Sequence, residues 1–169
     1  LLTLQQRRAE RKIVCRICED EYPQSVLQEH TRYCVEAREC DAQDAACDVR
    51  LVDMLKLLTL HRKRMVESRP DAYCAAHYSA VTRTVTQVVA LRYGDAADAT
   101  RCGALLDTLQ HILADLSCDD LGLVTYGRRF LQIVEEKWAT MREFMRLQAE
   151  SQDDTKPINL WCLLTLAKA

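Results

Sequence analysis

One stretch, VCRICEDEYPQSVLQEHTRYC at residues 14–34, constrains this chain more than any other. It spells C-x2-C-x11-H-x3-C on Cys15, Cys18, His30 and Cys34. The short gap between the first two cysteines lets both thiolates of a tight knuckle point at one ion. The gap from His30 to Cys34 is one helical turn, which puts both side chains on one face. Three sulfurs and one nitrogen make a closed tetrahedral shell that suits Zn²⁺. A catalytic zinc keeps an open position beside an acid or base. This shell is full, and Glu19, Asp20 and Glu21 read as solvated surface, so the expected ion is structural and stands in for a core too small to fold alone. The expected unit is a small ββα finger, with its hairpin near 13–22, its helix near 24–38 and Ser25 as a cap. Cys40 is a reserve ligand ranked below Cys34.

Beyond the finger the pattern is helical. Only 4 Gly and 3 Pro occur in 169 residues, a scarcity that long helices tolerate and a fold of many β turns does not. From 46 to 67, Leu51, Leu55, Leu58 and Met65 recur at a helical period. SRPD at 68–71 breaks that helix, and Pro70 suits the first turn of the next. Residues 71–92 repeat the signal with Tyr73, Ala76, Ala80, Val81, Val85 and Val88 before a turn at Gly94. Residues 97–116 repeat it with Cys102, Leu105, Leu109, Ile112 and Leu116, and SCDD at 117–120 offers caps. In 121–150, Leu131, Val134, Trp138, Met141 and Met145 trace a narrow coiled-coil-like seam. The reading is a mainly α chain: lead-in 1–12, CCHC zinc finger 13–40, antiparallel bundle of about four helices 46–150, and a linker with an apolar tail 151–169.

Bulk properties exclude several function classes. The formal charge is −2 and the pI about 6.1, so no global basic field holds a phosphate backbone. The finger helix offers Gln24, Ser25, Gln28 and Glu29 in its first turns and has no tandem partner, which argues against reading DNA bases. No apolar run approaches the ~20 residues of a bilayer span. Nine cysteines without a secretory leader fit a reducing, cytoplasmic setting better than a disulfide framework. Cys40, Cys47, Cys74, Cys102, Cys118 and Cys162 lack metal spacing and read as small apolar residues. His61, His77 and His111 lie in separate helices with no matching cysteine or carboxylate pattern, so no catalytic triad is argued. HRKR at 61–64 suits a helix C-terminus, or a docking patch for an acidic partner. The protein-kinase signatures are absent from these residues, so no catalytic or cofactor-binding residue is assigned.

Two segments resemble a known family. CRICEDEYP with the following His and Cys, at 15–34, resembles the zinc finger of plant AGC-type kinases of the incomplete-root-hair-elongation group and of related large fungal AGC kinases. LVTYGRRFLQIVEEKW at 123–138 resembles the end of the helical region just before the kinase domain in that group. Animal microtubule-associated serine/threonine (MAST) kinases share such a helical pre-kinase domain. Together with the helices between them the matches cover roughly residues 13–150. The resemblance implies Cys15, Cys18, His30 and Cys34 as zinc ligands. It places Tyr126, Gly127, Arg128 and Arg129 in a characteristic final helix without a catalytic role. It departs in that these residues hold no kinase domain and lack the long connection of the plant members. The chain opens LLTLQQRRAE without Met and is expected to be a piece of a longer protein.

The expected function is therefore a non-catalytic regulatory or docking region of an AGC/MAST-like serine/threonine kinase with structural zinc. Its partner would be a protein: its own kinase domain, or microtubule or ciliary proteins. The main alternative is a stand-alone zinc-stapled scaffold or cytoskeletal linker, and the weaker one a nucleic-acid-binding finger. The expected location is cytoplasmic, with the cytoskeleton or cilium as a further site.

Overall fold

A computed structural model describes residues 11–69, 74–116 and 120–151. Most of the lead-in, Pro70, Tyr73, Cys118 and the apolar tail with Cys162 lie outside the described residues. Two short strands, β1 (Lys12–Val14) and β2 (Glu21–Pro23), pair antiparallel with Ile13 opposite Tyr22. Four helices follow: α1 (Gln24–Ser68), α2 (Ala75–Val89), α3 (Ala96–Ala114) and α4 (Leu121–Ser151). The fold is mainly α, a small ββα unit with a Cys3His cluster followed by an antiparallel four-helix bundle.

The expected finger helix and first bundle helix are one element of 45 residues. No Gly or Pro interrupts 24–68, and its buried positions step by three and four from His30 through Tyr33, Ala37, Cys40, Asp44 and Cys47 to Leu51, then by seven to Leu58 and Met65. That is a heptad-like stripe. The polar stretch around Asp44 hid its continuity, because a carboxylate does not read as a core position. Ser25 falls inside the first turn of α1 rather than ahead of it.

By packing, the described residues form two compact units: 40–145, and 11–39 with 146–151, so α1 and α4 each belong to both. Within 40–145, side-chain pairs give the helix directions. Asp44 meets Lys137, Arg50 meets Glu136 and His61 meets Asp120, so α1 and α4 run antiparallel. Tyr78 bonds Asp120 and the Tyr93 ring packs tilted against Phe144, so α2 runs parallel to α4. Trp138 lies over Gly103 and Leu113 over Gly127, so α3 opposes α4. The order is up-down-up-down with short connections, as amphipathic helices with six-residue links favour.

The core is built on Leu51, Leu58, Val81, Val85, Leu109, Leu123, Phe130 and Val134, among others. On α4 the buried line is broader than a narrow seam and rotated from it. Phe130, Ile133, Val134, Lys137, Met141 and Phe144 are buried, while Leu131, Trp138 and Met145 pack at the edge. A helix with neighbours on two sides buries a wide stripe. On α2, Ala76 is exposed and Tyr78 takes the buried place. Asp95 caps α3, accepting from the Ala97 and Asp98 N–H groups. Asp120 caps α4, accepting from the Leu123 N–H at 2.9 Å.

Candidate metal centre

The β1–β2 hairpin and the start of α1 bring the four spaced residues together. The knuckle closes through two backbone bonds, Glu19 N–H to the Cys15 carbonyl and Cys15 N–H to the Asp20 carbonyl, each 2.8 Å. Glu19 takes a left-handed backbone, φ 65°, which lets the chain double back within so few residues. Gln24 N–H bonds the Arg11 carbonyl at 3.0 Å and joins the hairpin to the helix.

The ligand atoms of Cys15, Cys18, His30 and Cys34 all lie within 4.8 Å of one another, and all but Cys18 are buried. His30 Nε2 sits 3.3 Å from Cys18 Sγ and 3.1 Å from Cys34 Sγ. A tetrahedral ion with Zn–S near 2.3 Å and Zn–N near 2.0 Å has ligand–ligand edges of roughly 3.5–3.8 Å. The donor set and its spacing therefore fit a metal of that kind, and the four residues are positioned to hold one. Tyr22 stacks on the His30 ring at 3.5 Å and 21°. His30 Nδ1 is buried without a hydrogen-bond partner, so stacking rather than a second-shell acceptor sets the ring's orientation.

Electrostatics agree with the donor set. Burial raises the Cys15 thiol, but the Cys18 and Ile17 N–H groups outweigh it and leave the thiol below its ordinary value. Burial and the sulfurs of Cys18 and Cys15 push Cys34 up. Burial keeps His30 down, against the pull of Asp20, and so neutral as a ligand must be. A cation held between these residues would offset the rise at Cys34 and favour its thiolate.

Cys34 belongs to the cluster and Cys40 does not; Cys40 hydrogen-bonds Tyr93. Cys47 and Cys102 are core residues, as their positions imply. Two histidines do find partners, contrary to expectation. Cys74 Sγ and His77 Nδ1 are 2.5 Å apart at the start of α2. His61 Nε2 lies 3.0 Å from Asp120 Oδ1, and the Tyr78 hydroxyl donates to Asp120 Oδ2. Asp120 thus ties α1, α2 and α4 at one end of the bundle, a link of residues 42 and 59 positions apart in sequence.

The largest omission of the sequence reading is Lys137. Its side chain is 0% exposed, and its ammonium is 2.9 Å from both Asp44 and Asp48. Burial opposes its charge, yet hydrogen bonds to Asp48 and Asp44 hold it above the usual lysine value. Burial raises both carboxylates despite that lysine. The one available signal was Lys137 at a three-residue step from Val134, in register with the apolar run. Among the described residues no helix is long and apolar enough to cross a membrane.

Comparison with known proteins gives one informative likeness. The chain is 27% identical over 164 residues to a protein of Dictyostelium discoideum named "probable serine/threonine-protein kinase". The match covers 91% of this chain and 8% of that relative's length. No family model matches the sequence, and no solved structure does.

Proposed function

We propose that this chain is a non-catalytic regulatory and docking region of an AGC/MAST-like serine/threonine protein kinase, held at its N-terminal end by a structural zinc ion. The observation that carries this reading is the similarity along nearly the whole chain to a small part of a kinase-named protein. The kinase domain would lie elsewhere in the same polypeptide, and the chain would act in a reducing, cytoplasmic setting where thiols stay free to bind metal. Cys15, Cys18, His30 and Cys34 would be the zinc ligands. Bound zinc would supply no reaction here, since four protein ligands fill a tetrahedral shell. Its part would be to join the hairpin to the first turns of α1. The partner would be a protein, the kinase domain itself or another, met on the surface of the bundle.

Two measurements test this. Metal analysis of the full chain should find one zinc per molecule, and Cys18→Ser should release it and abolish the finger's amide protection. Retention of zinc by Cys18→Ser would overturn the ligand set. The intact mass of the native polypeptide should exceed 19.4 kDa by a kinase domain of about 250 residues. A native mass near 19.4 kDa would overturn the kinase reading.

A further inference from the structure

The whole-chain charge of −2 conceals a local asymmetry. The later turns of α1 lie beside the first turns of α4, where His61 meets Asp120. Both segments carry exposed cations, Lys63 and Arg64 on α1, Arg128 and Arg129 on α4. None of these four side chains has an ion-pair partner among the described residues.

Between the same helices runs a groove of about 390 Å³, lined by Arg50, Asp53, Met54, Arg129, Gln132 and Ile133. Its floor is apolar, from Met54 and from Ile133, which is 3% exposed. The other charges at its rim are already matched. Arg50 contacts Glu136 at 2.5 Å, and Asp53 contacts Lys56 at 2.8 Å. Arg129 is the unmatched charge. The apolar character continues beyond the floor. Leu57, 48% exposed, stands three residues after Met54 on the same flank of α1. Leu121, 79% exposed, stands eight residues before Arg129 on the same flank of α4.

An apolar floor beside an unmatched guanidinium complements an apolar side chain next to a carboxylate, and arginine is enriched among the anchor residues of protein interfaces. A nucleic-acid or phosphate-rich surface fits less well, because a phosphate backbone offers no apolar side chain to cover the floor of Met54 and Ile133. We propose that the α1–α4 groove docks an acidic protein segment, which lays an apolar side chain over Met54 and Ile133 and sets a carboxylate on Arg129. This names the surface and partner chemistry of the docking role above and rests on that role.

The test is selection of a random peptide display library on the full chain, with the Arg129→Glu chain as counter-target. Arg129 is exposed and unpaired, so the variant should keep its zinc content and melting temperature. Enriched peptides should be rich in Asp and Glu, with Leu, Ile, Met or Phe at spacings of three or four. A synthetic representative, followed by fluorescence anisotropy, should bind Arg129→Glu about tenfold more weakly or worse. Failure of any acidic peptide to enrich, or equal binding to both chains, would overturn the proposal. Arg129-dependent binding of duplex DNA or phosphatidylserine vesicles, with no acidic peptide selected, would overturn it too and reassign the groove to a polyanion. A missing zinc ion or kinase domain would defeat the broader reading and leave the peptide result standing, so the two failures are distinguishable.

Discussion

Replacing Lys137 with Met isolates the least expected feature of the bundle. Met keeps the length of the side chain and removes its charge. The wild-type ammonium is fully buried and 2.9 Å from both Asp44 and Asp48, and Asp44 Oδ1 has no hydrogen-bond partner of its own. Deleting the cation leaves the buried Asp44 carboxylate and the half-buried Asp48 without their partner, and breaking a buried pair in this way costs about 3–5 kcal/mol. A bundle of about 100 residues melts ~4–8 °C lower per kcal/mol, so Lys137→Met should fall by about 12–40 °C at neutral pH. The pH dependence has a definite sign. Burial already holds both carboxylates above their ordinary value. Without the lysine they rise further. A group with a raised folded pKa contributes stability that is complete below its unfolded pKa, near 3.9, and is lost as pH rises through the folded value. The gap between wild type and variant should therefore be small near pH 4 and widest near pH 7. Thermal melts by circular dichroism at both pH values read it directly. A triple variant, Lys137→Met with Asp44→Leu and Asp48→Leu, should regain most of the loss, since well-packed apolar replacements of buried ion clusters are commonly neutral or stabilising. A loss under about 1 kcal/mol at pH 7, or one that does not shrink toward pH 4, would refute the view that a desolvated charge cluster links α1 to α4.

Three further outcomes are expected. Asp120→Ala should cost about 2–4 kcal/mol by urea titration, from the lost cap and the stranded Tyr78 and His61 partners. Burial raises the Asp120 carboxyl, but bonds from Tyr78, His61 and the Leu123 N–H outweigh it and hold it below its usual value. Its contribution should thus be present above about pH 4, lost as pH falls through the depressed value, and absent in Asp120→Asn melts. Gly122→Ala should destabilise, although Ala is the better helix former by about 1 kcal/mol, because its Cβ would lie 2.1 Å from the His61 ring; a raised melting temperature would show that ring to be free to move. Glu19→Gly should raise the finger's stability by about 1 kcal/mol, measured as slower zinc loss to a chelator, since the left-handed backbone there disfavours any residue with a Cβ.

The chain's own sequence determined the parts that rest on local chemistry. Spacing alone grouped Cys15, Cys18, His30 and Cys34, which the fold brings together, because a knuckle and one helical turn are short-range geometry. Apolar periodicity and the lack of Gly and Pro placed the helices because their periods repeat along the chain. Tertiary structure alone decided what depends on residues far apart. It placed Asp44 in the buried line of α1 by giving it a lysine 93 positions away. It put the lysine Lys137 in the core, and made Asp120 a junction of three helices as well as a cap. It also set Arg129 beside Met54, forming a basic, apolar groove in a chain that is acidic in sum. Burial and charge pairing belong to the folded arrangement of helices, and no window along the sequence contains them.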